Sequence, residues 1–298
     1  MQYIIVGGSA AAISAVESIR SLDHESRIDL FSDEETPLFS RVLLPYYVAE
    51  ELSKPLLNFR TSDFFETNRV TPHLGVKVTS LNTAAKSIRT ADGKTYTFDK
   101  LLLATGGKAI VPPIPGVDLE GISTLKTMAD AERIYNTKGK RAVVIGAGSI
   151  GVEACISLTR RGIKATLLEQ LGQVMPTVFD AEAAQIVRKR IEDLGIEVFT
   201  GEKALKFTGD KRVTGVVTDN REIPCDMVVL SVGVRPQTEL AVQAGLALGD
   251  MKGIRVDETM MTSAPDIYAA GDVAETHDIA RNTWFLNAIW PCAFEQGV

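Results

Sequence analysis

The sequence predicts an α/β fold made of two units that share one architecture. Each unit opens with an apolar strand, a turn of small residues and a helix, with the turns at residues 7–12 and 146–151. Each unit later contains a second apolar strand, residues 101–104 in the first and 227–230 in the second. A strand, a small-residue turn and a helix in that order are typical of Rossmann-like units, so we expect two of them.

The later turn carries the complete pattern G-x-G-x-x-G. Gly146 permits a tight turn, Gly148 lets the backbone approach a pyrophosphate, and Gly151 lets the helix pack closely on the strand. Glu169 ends the next predicted strand, 18 positions after Gly151, where an acid binds ribose hydroxyls. The helix N-terminus favours phosphate through its free N–H groups and its dipole. The later turn therefore predicts a dinucleotide site.

The earlier turn is a degraded copy of the same pattern. Ser9 stands at the second glycine position and Ala12 at the third, and both are small enough to keep backbone and phosphate close. The next strand ends at Ser32, with Asp33 and Glu34 one and two places further on. The pattern predicts a second nucleotide site, and it leaves open which of the two acids contacts the ribose.

Composition restricts the class of protein. The chain has 298 residues, 32 Lys and Arg against 38 Asp and Glu, and a net charge of −6 with both signs interspersed. This balance argues against nucleic acid as a partner. No apolar stretch approaches the roughly 20 residues that span a bilayer, and the first strand begins at Tyr3, which leaves no room for a signal peptide. We therefore expect a cytoplasmic protein that does not bind membranes.

The cysteines and histidines predict no metal site and no structural disulfide. Cys155, Cys225 and Cys292 are odd in number and widely spaced, without a C-x-x-C pair. The three histidines lack the spacing of metal ligands.

The proline-rich segment at residues 111–116 marks one boundary, and residues 234–236 mark a second. After the second boundary, an apolar strand runs into Gly271 and Asp272. An acid at the end of such a strand can accept hydrogen bonds from ribityl hydroxyls, or reach a pyrophosphate through water. Its alternative role is an ordinary β-turn.

Four motifs in this order, residues 7–12, 104–106, 146–151 and 270–272, resemble the FAD- and NAD(P)-dependent pyridine nucleotide-disulfide oxidoreductase superfamily. The resemblance covers essentially the whole chain. It implies an FAD-binding domain at residues 1–108 and 237–298, with an NAD-binding domain at residues 109–236 inserted, each with a small antiparallel β element. It further implies that the first unit binds the ADP half of FAD, and that Asp272 contacts the ribityl-pyrophosphate region.

The resemblance also implies the residues of both cofactor sites. The FAD site comprises Gly7, Gly8, Ser9, Ala10, Ala11, Asp33, Glu34, Arg41, Val78, Ala104, Thr105, Gly106, Gly271, Asp272, Trp290 and Ala293. The NAD site comprises Gly146, Gly148, Ser149, Ile150, Gly151, Glu153, Glu169 and Gly233. The resemblance places Glu153 and Trp290 near the nicotinamide and flavin. Their alternatives are a surface charge for Glu153 and core packing for Trp290.

The chain lacks the redox cysteines of several branches of this superfamily. Its first helix has no cysteine, and Val42 stands at the single-cysteine position before Leu44, Pro45 and Tyr46. It thus resembles ferredoxin- and rubredoxin-reductase-like enzymes and the flavoprotein portion of NADH-dependent nitrite reductases. The implied activity is hydride transfer from NADH to FAD, with electrons passing to an external acceptor protein or small acceptor. Glu169 predicts NADH over NADPH, because it would repel a 2′-phosphate.

Other functions remain open. One is a thiol-dependent disulfide or persulfide reductase that uses Cys292, or an NADH oxidase; another is a nucleotide-binding module without turnover. Members of the superfamily usually continue beyond the helix that holds Gln296 and Gly297 into a domain that contributes to dimerisation. We therefore expect either a fragment or a naturally short form, in which dimerisation and delivery of electrons to the physiological acceptor are weak or absent.

Overall fold

The computed structural model describes residues 1–36 and 38–298, which form two compact units. Unit 1 comprises Met1–Ser40, Asn58–Lys108 and Arg235–Val298. Unit 2 comprises Arg41–Leu57 and Ala109–Val234. The chain therefore leaves unit 1 and later returns to it.

Helices and strands alternate along much of the chain. The first part contains β1 (Gln2–Val6), α1 (Ala10–Leu22), β2 (Arg27–Ser32), α2 (Leu44–Val48), α3 (Phe64–Thr67), β3 (Val70–Leu74), β4 (Val78–Asn82), β5 (Ser87–Thr90), β6 (Thr95–Thr97) and β7 (Lys100–Leu103). The middle part contains β8 (Gly107–Ala109), β9 (Ile122–Thr124), α4 (Met128–Asn136), β10 (Arg141–Ile145), α5 (Ser149–Arg160), β11 (Lys164–Glu169), α6 (Ala181–Asp193), β12 (Glu197–Thr200), β13 (Ala204–Gly209), β14 (Val213–Thr218), β15 (Glu222–Pro224), β16 (Met227–Leu230) and β17 (Val234–Pro236). The last part contains α7 (Glu239–Gln243), β18 (Ile254–Arg255), β19 (Ile267–Ala269), β20 (Ala274–Asp278), β21 (Thr283–Phe285) and α8 (Trp290–Gly297).

Unit 1 is organised around a parallel sheet with the strand order β19-β7-β1-β2-β3. Strand β1 is apolar on both sides because both faces of the sheet are covered. Ile5 packs into a buried cluster with α1, whereas Ile4 and Val6 pack into a second cluster that includes Ile88 of β5. Strands β4, β5 and β6 form a small antiparallel sheet.

Unit 2 repeats this arrangement. Its parallel sheet has the order β12-β11-β10-β16-β9, and β13, β14 and β15 form the small antiparallel sheet. Val143 and Ile145 of β10 pack into one buried cluster with Phe207 and Val216. The two units thus place corresponding strands in the same order, which confirms the predicted fold class of two Rossmann-like units with antiparallel elements.

Residues 41–57 pack with unit 2. Helix α2 lies against α4 and α5, and the rings of Tyr47 and Tyr135 stack with centroids 5.0 Å apart. Arg161 pairs with Glu50 at 3.2 Å, on the loop that follows α2. The sequence-based domain limits include this segment in residues 1–108, whereas its contacts group it with unit 2.

Among the described residues, no helix combines the length and the apolar character that crossing a membrane requires.

Candidate nucleotide-binding sites

The turn after β1 requires glycine at its first position. Gly7 has φ +132°, and a Cβ there would lie 2.1 Å from the carbonyl oxygen of Ala104. Its N–H donates to the carbonyl of Phe31 at 2.8 Å. The turn is therefore pressed between β2 and the loop after β7, with no room for a side chain.

The N-terminus of α1 is suited to an anion. Ser9 occupies the N-cap position, but its side chain makes no capping hydrogen bond. The first turn is formed by Ala10, Ala11 and Ala12 and contains no acidic residue. Because the first N–H groups of a helix lack intrahelical partners and carry partial positive charge, this end can hold a phosphate.

The end of β2 presents no carboxylate of its own. Ser32 is the last residue of the strand and 5% exposed, and its hydroxyl accepts the N–H of Glu34 at 3.1 Å. Asp33 is exposed and Glu34 partly so. Asp33 and Glu34 thus follow the strand on its connecting loop, and both remain candidates for the ribose contact.

The loop after β7 is fastened by Gln237. Its side-chain amide donates to the carbonyl of Thr105 at 2.8 Å, and its N–H donates to the carbonyl of Gly106 at 2.9 Å. The hydroxyl of Thr105 donates in return to the carbonyl of Gln237 at 2.8 Å. Three hydrogen bonds therefore fix the conformation of residues 105 and 106, and Gly106 completes the turn with φ +66°.

The Gly271 turn lies beside this loop in unit 1. Gly271 has φ +80°, and a Cβ there would lie 3.2 Å from the Cβ of Ala11 and 3.5 Å from that of Ala293. Asp272 follows it, partly exposed, and its Cβ lies 3.6 Å from the Cβ position of Gly107. The motifs at residues 104–106 and 270–272 therefore meet in space, although more than 160 positions separate them.

Helix α8 brings Trp290 and Cys292 to unit 1. Trp290 packs edge-on against Phe59, with ring centroids 4.9 Å apart, beside the buried cluster around α1. Burial raises the pKa of the Cys292 thiol, and the carboxylates of Glu295 and Asp278 raise it further. This environment disfavours the thiolate, which is the nucleophilic form of cysteine.

The glycine turn of unit 2 has the geometry that the sequence predicts. A Cβ at Gly146, which has φ +100°, would lie 2.2 Å from the carbonyl oxygen of Ser231. A Cβ at Gly151 would lie 1.8 Å from the carbonyl oxygen of Gly146. At Gly148, the N-cap of α5, a Cβ would meet nothing within 4 Å. Two glycines therefore serve packing within the protein, whereas the space beside the third is open to a ligand.

Glu169 is tied to this turn. It is 7% exposed, its Oε2 accepts the N–H of Ala147 at 2.7 Å, and its Oε1 accepts the N–H of Leu171 at 2.9 Å. Each carboxylate oxygen has a second lone pair for a ribose hydroxyl. One side chain thus holds the glycine turn and ends β11, where the sequence predicts the ribose contact.

The other predicted NAD residues lie at the surface. Ser149 and Ile150 are exposed in the first turn of α5, and Glu153 is exposed one turn further along the helix. Gly233 is exposed and has φ +110°.

Two predicted FAD residues lie apart from the turns of unit 1. Arg41 groups with unit 2, where its Nη1 donates to the carbonyl of Lys126 at 2.9 Å. Val78 is 6% exposed in β4, within the buried cluster between the parallel and antiparallel sheets of unit 1. Their roles toward FAD stay predictions.

The remaining cysteines are buried. Burial raises the pKa of Cys155, and it raises the pKa of Cys225 to about 12 with a further contribution from Asp226. Within residues 1–36 and 38–298, no three His, Cys, Asp or Glu side chains are grouped to hold a metal ion.

Sequence reasoning assigned no role to Gln237 and Gln296. Gln237 contacts residues 132 positions away, and the Oε1 of Gln296 accepts the N–H of Gly271, 25 positions away, at 2.8 Å. A glutamine side chain that hydrogen-bonds the backbone at such sequence separations leaves no local sequence pattern by which it could be recognised. The sequence points to these two residues only by position: Gln237 directly follows the second boundary, and Gln296 directly precedes Gly297.

Comparison with known proteins gives one family and full coverage of the chain. The family model of the pyridine nucleotide-disulphide oxidoreductases matches residues 1–297. An NADH oxidase of Methanocaldococcus jannaschii is 32% identical over 100% of this chain and 68% of its own length. The ferredoxin–NAD(+) reductase component of the biphenyl dioxygenase system of Paraburkholderia xenovorans is 33% identical over 91% of this chain and 66% of its own length.

Solved structures are similar throughout the chain. The putidaredoxin reductase in its covalent complex with putidaredoxin has a TM-score of 0.94 and 28% identity, over 99% of this chain and 73% of that one. An engineered water-forming NADPH oxidase bound to NADPH has a TM-score of 0.93 and 25% identity, over 100% of this chain and 68% of that one. That protein carries five substitutions, of a glycine, an aspartate, an alanine, a methionine and a proline.

Proposed function

Because the chain belongs to the pyridine nucleotide-disulphide oxidoreductase family and is an FAD-dependent oxidoreductase that uses NAD(P)H, we propose that it transfers hydride from NADH to FAD and passes the electrons to an external acceptor protein. FAD, when bound, supplies the redox chemistry. The protein contributes binding and orientation: the α1 N-terminus, the loop held by Gln237 and the Asp272 turn for FAD, and the α5 N-terminus with Glu169 for NADH.

The observation that carries this proposal is the pair of small-residue turns, each followed by a helix whose first turn has no acidic residue. Gly148 leaves open space where a pyrophosphate would approach, and the side chain of Ser9 makes no capping bond at the corresponding place in unit 1. Two turns of this kind fit two dinucleotides held by one chain.

The preference for NADH rests on Glu169. In the engineered NADPH oxidase, the replaced aspartate follows the replaced glycine by 18 positions, and the replaced proline follows that aspartate by 7. The same intervals lead from Gly151 to Glu169 and on to Pro176. Glu169 would accept hydrogen bonds from the ribose hydroxyls of NADH and repel the 2′-phosphate of NADPH. Neither Gln170 nor Pro176 offers a positive charge to that phosphate.

An external acceptor is favoured over an internal thiol. Val42 stands where a catalytic cysteine precedes the Leu44 segment in other branches, and the raised pKa of Cys292 keeps that thiol neutral. The ferredoxin–NAD(+) reductase component and putidaredoxin reductase are named for their work with such acceptors. We place this chain with them, and a ferredoxin-like iron–sulfur protein is the acceptor we propose.

Rapid mixing of FAD-loaded protein with NADH under anaerobic conditions tests the first half-reaction. We expect the visible absorbance of the flavin to bleach, faster with NADH than with NADPH. The reduced protein is then mixed with ferredoxin, rubredoxin or oxygen, and flavin reoxidation is followed. Fastest reoxidation by the iron–sulfur proteins supports the proposal, whereas fastest reoxidation by oxygen identifies an NADH oxidase. FAD binding without any bleaching would identify a nucleotide-binding module without turnover.

A further inference from the structure

The turn that carries Asp272 is built from four residues. The N–H of Ala274 donates to the carbonyl of Gly271 at 2.9 Å, which makes Asp272 and Val273 the two central residues. Val273 is fully buried and Asp272 is partly exposed. Asp272 is therefore the polar side chain that this turn presents, and its direction depends on how the turn is held.

The first amide of the turn is held by a side chain. The N–H of Ala270 still pairs with the sheet, through the carbonyl of Leu103 at 3.1 Å. The next N–H, that of Gly271, donates to the Oε1 of Gln296 at 2.8 Å. Gly271 is buried, so loss of this acceptor would leave a buried N–H without its partner, which is costly.

Gln296 has little freedom to move, because α8 is packed tightly. A Cβ at the neighbouring Gly297 would lie 2.3 Å from the carbonyl oxygen of Ala11. Further along α8, Ala293 is buried, and Trp290 packs on Phe59. The helix is thus docked on α1 along its length, and the amide of Gln296 is delivered at a fixed position.

We propose that Gln296 is a positioning residue for FAD binding: it fixes the Gly271 amide and thereby aims the carboxylate of Asp272. This inference rests on the proposed function, because it assumes that Asp272 contacts FAD. Gln296 does not touch the cofactor in this account, and its effect passes through the turn.

The test compares three variants as purified apoprotein and after titration with FAD. Gln296→Leu keeps the volume and removes the acceptor, whereas Gln296→Glu keeps an oxygen that accepts the Gly271 N–H. Gln243→Leu is the matched control, because Gln243 is an exposed glutamine at the end of α7. The measurements are FAD affinity by fluorescence quenching, the visible circular dichroism of bound flavin, and the Tm of the apoprotein.

We expect Gln296→Leu to weaken FAD binding about tenfold and to alter the flavin dichroism, with Gln296→Glu within about threefold of the wild type. In an Asp272→Ala background, Gln296→Leu should have little further effect on FAD affinity, because the two residues act through one contact.

Three outcomes would overturn the inference. FAD affinity of Gln296→Leu equal to that of Gln243→Leu would show that the bond does not matter for FAD. Equal losses in Gln296→Leu and Gln296→Glu, accompanied by equal drops in apoprotein Tm, would show a role in helix packing alone. If the wild-type protein failed to bind FAD, the proposed function would fail, and this inference with it.

Discussion

The two Rossmann-like units share their strand order and their turn geometry, but they differ in how the turn is supported. In unit 2, Glu169 at the end of β11 bonds the turn directly through the N–H of Ala147. In unit 1, the corresponding strand ends in Ser32, whose hydroxyl accepts the N–H of Glu34. The loops that carry the FAD motifs are fastened instead by Gln237 and Gln296.

The candidate site of unit 2 is formed within one short segment of the chain, whereas that of unit 1 is formed by segments far apart in the sequence. The bond from Glu169 to Ala147 spans 22 positions within one strand-helix-strand unit. The bonds of Gln237 span 132 positions and join chain segments on both sides of unit 2 in the sequence. In the proposed function, the segments joined by Gln237 hold FAD, and the strand-helix-strand unit that contains Glu169 holds NADH. Substitutions in the two units should therefore separate FAD binding from NADH binding.

The largest effects are expected at the first glycine of each turn. Gly7→Ala and Gly146→Ala each place a Cβ about 2 Å from a backbone carbonyl oxygen, at positive φ. Gly7→Ala should abolish FAD binding, and the protein should be purified colourless. Gly146→Ala should retain FAD and lose at least about 100-fold in the rate of flavin bleaching by NADH.

Both variants are checked for folding by circular dichroism. Loss of FAD from Gly146→Ala, with its secondary structure intact, would contradict the separation of the two sites.

The next effect concerns the cofactor preference of unit 2. Because Glu169 holds the turn and, in the proposed function, also binds the ribose, Glu169→Ala should lower kcat/KM for NADH roughly 10- to 100-fold. The triple variant Glu169→Ala, Gln170→Arg and Pro176→Arg should prefer NADPH, since the arginines can pair with its 2′-phosphate. Steady-state rates with both cofactors measure the change. An unaltered NADH preference in the triple variant would show that Glu169 does not set the specificity.

The second position of each turn tests the space left for phosphate. A Cβ at Gly148 would meet nothing within 4 Å, so Gly148→Ala should keep the Tm of the wild type. It should nevertheless weaken NADH binding about tenfold, because the added methyl group occupies the space for the pyrophosphate. In unit 1, where Ser9 already occupies this position, Ser9→Gly should change FAD affinity only a few-fold. A drop in Tm for Gly148→Ala would show that the glycine serves folding instead.

A comparable effect is expected at Gln237, which is hydrogen-bonded to the loop after β7. Gln237→Leu removes the side-chain donor to the carbonyl of Thr105, keeps the backbone bond from residue 237 to Gly106, and should weaken FAD binding about tenfold. The proposed NADH site lies in unit 2, so the Kd of oxidised NAD for the FAD-loaded variant should stay within twofold of the wild-type value. Equal losses of FAD and NAD affinity would indicate a general loss of structure.

The fold and the turns could be predicted from sequence because their signals are local. The apolar runs at β1, β7, β10 and β16 and the glycine spacing each lie within a short window, and all of them form the expected elements. The role of Glu169 as support for the turn needed the structure, since the pattern indicates only a ribose contact. Gln237 and Gln296 could not be found, because their partners are brought near by the path of the chain through both units. The packing of residues 41–57 on unit 2 depends on tertiary contacts such as Tyr47 with Tyr135.

The smallest effect is expected from substitution of Cys292, and this substitution tests whether a thiol takes part in the reaction. Burial, with the nearby carboxylates of Glu295 and Asp278, raises the pKa of this thiol above its ordinary value of about 9. The thiol is therefore neutral at neutral pH, and its reactivity as a nucleophile is low. Cys292→Ser should bind FAD and be bleached by NADH within about twofold of the wild type, with an unchanged pH profile between about pH 6 and pH 8. Pre-treatment of the wild type with iodoacetamide serves as the second measurement, since a catalytic thiol would be alkylated and activity lost. Turnover that disappears in both experiments, while FAD remains bound, would favour a thiol-dependent reductase over transfer to an external acceptor.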